Sequence, residues 1–106
     1  MKTVFPLKKT AIKPEHIPAI DSLIEERRVI RETPRGFRLC PVDAREDVPG
    51  FRYTRQHYDF FDTRAELLEV IAQRANTAAA ILDERKKAAV VLLCDAHDAL
   101  RTEHTP

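Results

Sequence analysis

The sequence predicts an α+β protein: a small antiparallel sheet of three or four strands with one short helix, followed by a long C-terminal helix or helical hairpin. Three observations carry this. Two β-prone runs, 29–33 and 37–40, flank the turn residues Pro34-Arg35-Gly36, which is a hairpin signal with Gly36 free to take positive φ. Beyond Gly50 there is no glycine, and no proline until Pro106, in a stretch dominated by Ala, Leu, Glu, Arg and Lys, so nothing obvious stops a helix before about Arg101. Thr63-Arg64-Ala65-Glu66 has the spacing of a capping box, which sets the start of that helix.

The elements follow in order. Pro6, between Thr3-Val4-Phe5 and the run 7–12, forbids a helix interior and is tolerated on a sheet edge, so a short edge strand is expected. Pro14 and Pro18 suit a first helical turn, and Ile17, Ile20, Leu23 and Ile24 fall on one helical face. The spacing predicts an amphipathic helix over 15–27, closed by Arg27 and Arg28 at its negative end. The hairpin comes next, then an exposed loop over 41–50 that carries Pro41, Pro49 and the charges Asp43, Arg45, Glu46 and Asp47. From Phe51 the alternation predicts a further strand to about Tyr58.

In the helical region, Leu68, Ile71, Ala75, Ala78, Leu82, Arg85, Ala89, Leu92, Ala96 and Ala99 repeat at spacings of three and four, a heptad seam interrupted only by Arg85. The charged run 83–87 reads either as a turn between two helices or as a stretch of one. The wholly apolar run 88–94 reads either as helix or as a buried strand. Small residues on the seam allow close approach of a second helix, so a homodimer is expected through Leu68, Ile71, Ala75, Ala78, Leu82, Ala89 and Leu92.

With 106 residues, 43% of them hydrophobic, the chain makes one domain with one modest core. Residues 1–61 are basic and β-rich, with 12 basic and 9 acidic residues, and 62–104 are helical; 62–106 hold 6 basic and 8 acidic residues. The apolar run 88–94 is too short to cross a bilayer, for which roughly 18–20 residues are needed, so no membrane association is expected. Lys8, Lys9 and Lys13 break up the first segment, unlike a signal peptide. Two cysteines, Cys40 and Cys94, without such a signal read as reduced cytoplasmic thiols.

Chemistry is sparse. Gly36 and Gly50 are isolated, so no phosphate-cradling glycine loop exists. Cys94, His97, Arg101 and His104 share a possible helix face, but no CxxC or HxxxH pair completes a zinc set. A Cys–His nucleophile pair from Cys40 or Cys94 with His16, His57 or His97 has no spacing to support it, and Asp59 and Asp62 flank a helix start, where carboxylates serve capping. The expectation is therefore a non-enzymatic protein with no catalytic residue, metal, cofactor or small-molecule substrate.

Two surfaces stand out. Arg27, Arg28, Arg31, Arg35 and Arg38 face only Glu32 within the hairpin region. This helix-then-basic-hairpin run of about 20 residues resembles the end of a winged helix. The resemblance implies phosphate contacts from Arg31, Arg35 and Arg38 with the Gly36 turn at the tip. Five of the seven aromatic residues lie between Phe51 and Phe61, interleaved with Arg52, Arg55 and His57; Arg52, Tyr53, Arg55 and Tyr58 are the types enriched at protein-binding hot spots. The leading expectation is a small regulatory or accessory protein binding DNA or RNA through the basic helix–hairpin. The alternative is an interaction module or small inhibitor that occupies the surface of a host protein.

Overall fold

The first strand is apolar on both faces, and the architecture follows from covering both. In the computed structural model, which describes residues 1–104, β1 (Thr3–Lys8), β2 (Arg27–Thr33), β3 (Gly36–Pro41), β4 (Phe51–Thr54) and β5 (Tyr58–Phe61) form one five-stranded antiparallel sheet in the order β4-β3-β2-β1-β5. A single helix, α1 (Arg64–Glu103), follows. β4 and β5 are the two edges of the sheet, yet only residues 55–57 separate them, and the rings of Tyr53 and Tyr58 meet at 4.9 Å. The sheet therefore curls into a small barrel whose edges come together. A bulge at Ile30, where the β2–β3 register shifts between Val29 and Arg31, adds local twist in the same sense.

Inside the curl, Val4, Phe37 and Leu39 are buried with Val29, Tyr53 and Phe60 packed against them. Outside it, Phe5 and Leu7 pack with Leu67 and Ile71 of α1, sealed by Ala11, Ile12, Leu23, Ile24, Phe61 and Val70. Successive strand residues point to opposite faces, so Val4 and Phe5 serve the two clusters in turn. Thr63 caps α1 as its spacing predicts, its hydroxyl accepting from the Glu66 amide at 3.1 Å.

Several expectations need correction. The sheet has five strands, because the stretch read as one strand over 51–58 is two, broken by a turn in which the His57 amide donates to Thr54 O. β1 lies inside the sheet; its ladder with β2 ends at Val4, and from Phe5 onward it pairs only with β5, which leaves one side open to a residue such as Pro6 that lacks an N–H. No α-helix spans 15–27. Pro18 pushes the residue before it toward extended backbone, Ala19 is itself extended (φ −68°, ψ 146°), and only a 3-10 turn, Ile20–Ser22, forms. Leu23 and Ile24 pack on the core from this loop, while Ile17 and Ile20 are each 53% exposed. Residues 83–87 do not turn and 88–94 are not a strand: both lie within the unbroken α1.

Candidate functional site

The β2–β3–β4 ladder brings arginines from separate stretches of the chain into one line. On β3, Phe37 and Leu39 point into the barrel, so Gly36 and Arg38 lie on its outer face. Arg38 lies directly opposite Arg31 on β2 and Arg52 on β4. The result is a transverse row, Arg31–Arg38–Arg52, across strands spaced about 4.8 Å apart. All three side chains are exposed. Like charges placed directly opposite destabilise a sheet, and no salt bridge from the described residues relieves these three. Arg38 is oriented by carbonyls, donating from Nη1 to Pro49 O at 3.1 Å and Gly50 O at 3.4 Å.

Beside the row lies a second, neutral one: Thr33, Gly36 and Thr54. Gly36 has φ +153°, and a Cβ there would sit 2.1 Å from Tyr53 O, so only glycine admits β4 this close. The missing side chain leaves a shallow depression of about 200 Å³, rimmed by Arg31, Thr33, Arg38 and Arg52. Guanidinium forks around a pocket floored by backbone suit the oxygens of a phosphate.

The remaining arginines do other things. Arg28 donates to Ala44 O at 3.2 Å and Arg45 O at 3.0 Å, pinning the loop after β3, with its Nε buried and unpaired. Arg27 pairs with Glu25 at 3.6 Å. Arg35 stands exposed in the β2–β3 turn, its carbonyl accepting from the Arg55 amide. No α-helix leads into the hairpin, so the winged-helix resemblance does not hold. Of the aromatic–arginine set, Arg52 belongs to the row, Arg55 is tied to Glu32 at 3.1 Å and lies over the Phe37 ring, and Tyr53 and Tyr58 are half-buried against each other. Arg52 was legible as a surface arginine; that it completes the row depends on a pairing register that no local pattern encodes.

The seam residues divide. Ile71 and Ala78 are buried on the chain's own barrel and Leu68 is half-buried, which removes Ile71 and Ala78 from any intermolecular seam; Ala75, Leu82, Ala89 and Leu92 are exposed. Cys40 is 1% exposed, its thiol directed at Arg28 O at 3.9 Å, and Cys94 stands on the exposed helix. Among the described residues no group of three or more His, Cys, Asp or Glu is placed to hold a metal ion, and no helix is long and apolar enough to cross a membrane. A wider cleft between β5 and α1 is lined by Lys9, Tyr58, Asp59, Gln73 and Arg74, but there Asp59 already pairs with Arg74 at 2.5 Å and Lys9 at 4.0 Å. No family model, curated protein or solved structure matches the chain.

Proposed function

We propose that the outer face of β2, β3 and β4 binds the phosphate backbone of a nucleic acid, and that the protein is a small non-enzymatic accessory or regulatory factor. The observation that supports this is the row Arg31–Arg38–Arg52, aligned across three strands with no carboxylate among the described residues set against it. Its cost to the sheet is recovered when phosphates neutralise it and release their condensed counterions. The row is exposed and lies on paired strands of the sheet, which hold it more rigidly than a loop would.

Fluorescence anisotropy with labelled duplex DNA and single-stranded RNA over a salt series tests this. Affinity should fall steeply with salt, and each of Arg31→Ala, Arg38→Ala and Arg52→Ala should reduce the slope of log K against log [salt] by about one. Arg27→Ala, which removes an ion pair with Glu25 and a hydrogen bond to the Glu26 carbonyl, lies off the row; it serves as the control and should leave the slope near its original value. If the three row variants and the control behave alike, the row is not the binding face.

A further inference from the structure

Building on the reading of the row as a phosphate-binding face, we infer that its nucleic acid is single-stranded, and that the strand runs on round the end of the barrel to set an unpaired base in the cleft between β5 and α1. Three hollows in the surface share walls pairwise. Arg52 borders both the depression beside the row and a second one of about 370 Å³, whose other walls are Arg35, Thr54, Arg55 and Gln56. Arg55 in turn borders the cleft between β5 and α1, which holds about 620 Å³. Together they make one groove that leaves the outer face of β2, β3 and β4, passes the β4–β5 turn and reaches the helix.

The chemistry changes along this groove. The middle hollow has three arginines and no carboxylate in its walls; Arg35 is exposed in its turn, and only Arg55 is paired, to Glu32 at 3.1 Å. It thus carries the positive potential of the row onward, as a chain of phosphates requires. The cleft is mixed. Arg74 and Lys9 share the single carboxylate of Asp59 there, so with Arg55 its walls keep a net positive charge, and beside them stand the rings of Tyr58 and Phe61 and the exposed amide of Gln73. Aromatic faces next to a side chain that both donates and accepts are what an unstacked base uses, and the volume falls within the roughly 300–1,000 Å³ of ligand pockets. Unmet hydrogen-bonding capacity lies on the same groove. Thr54 Oγ1 and Arg74 Nη1, each from a residue of its walls, are covered and lack a partner among the described residues, and such atoms call for one that the chain alone does not provide.

Shape decides between one strand and two. The molecule is 24 Å by 23 Å across, so the groove turns from the sheet face to the helix side within about seven base pairs, at about 3.4 Å each. Duplex DNA is stiff over about 150 base pairs and does not follow so tight a turn, whereas a single strand does. Nor does a paired strand offer a base to the cleft unless that base is first unpaired and unstacked.

Anisotropy on the full chain decides it, with three labelled probes of one length, about 12 nucleotides: oligodeoxythymidylate, the same strand with abasic sugars, and a duplex. Charge density alone favours the duplex, which carries one phosphate per about 1.7 Å against about 3.4 Å for one strand. The groove should reverse that order, with thymidylate bound at least about tenfold more tightly than the duplex and about fivefold more tightly than the abasic strand. Arg35→Ala should lower the salt slope by about 0.7 on both single strands and leave the duplex slope unchanged. Gln73→Ala, at an exposed helix position, should weaken thymidylate about two- to tenfold and leave the abasic strand where it is. A duplex or an abasic strand bound as tightly as thymidylate overturns the inference, and so does indifference of thymidylate to both variants. If Arg31→Ala, Arg38→Ala and Arg52→Ala then still lose slope on the duplex, the row stands as a phosphate site without the groove; if they lose none on any probe, the row itself falls.

Discussion

The two halves of α1 are written in the same residue types and on the same stripe, yet one is held by the protein and the other is not. In the proximal half, Leu67 is fully buried and Ile71 and Ala78 nearly so, and Arg74 reaches Asp59; in the distal half every described residue is exposed. Isolated helices of fewer than about 12–15 residues are marginal in water, and most helical stability in proteins comes from burying one face. The difference teaches that α1 is anchored at its base. Its far end depends on its own propensity, supported by local pairs such as Lys87 with Asp83 and Glu84, or on a covering partner.

The sharpest way to break this comparison is to truncate a leucine in each half. Leu67→Ala empties a fully buried site between helix and barrel and should cost about 2–5 kcal/mol; Leu92→Ala, in a sample dilute enough to be monomeric, should stay within about 0.5 kcal/mol. Urea midpoints of both variants check this, and equal losses would mean that the distal half packs on the barrel after all. Close behind comes Gly36→Ala, which meets Tyr53 O and loses a positive-φ conformation. It should destabilise by at least about 1–3 kcal/mol and also reshape the depression beside the arginine row.

Hydrogen exchange sharpens the same comparison without any substitution. Amides of 67–81 should exchange only with global unfolding, because their helix is pinned by the core. Amides past Arg85 should exchange much faster in dilute solution and slow as concentration rises, if a second copy covers them. Concentration-independent protection of the distal half points instead to intrinsic helicity alone.

What was legible in the sequence divides along the same physical line. Local codes read well: Thr63 and Glu66 announced the start of α1, Pro34-Arg35-Gly36 announced the β2–β3 turn, and the absence of glycine and proline after Gly50 announced the helix. Patterns that several structures satisfy did not. Ile17, Ile20, Leu23 and Ile24 have helical spacing, yet Pro18 leaves a loop that packs only Leu23 and Ile24. Phe51 to His57 alternates like one strand, but a turn at 55–57 breaks it, because the curled sheet brings its two edges together there and the chain passes from β4 on one edge to β5 on the other. Arg31, Arg38 and Arg52 were each visible as charged surface positions; their alignment rests on the β2 bulge and the β3–β4 register, which are long-range pairings.

The smallest effect concerns the boundary between the two halves. Glu15 accepts from its own backbone amide and, secondarily, from the Arg85 guanidinium, and both hold its carboxyl below the ordinary value of 4.5. A folded pKa below the unfolded one contributes stability that is present above the unfolded value and lost as pH falls through the folded value. The wild type should therefore exceed Glu15→Gln slightly in urea midpoint at neutral pH, and the two should converge as the solution is acidified well below 4.5. Because the pair is exposed and screened, the gap should also shrink in high salt. A gap that persists under strong acid would show that Glu15 acts there through packing of the loop and not through its charge, and the boundary of the anchored half would then have to be drawn before Arg85.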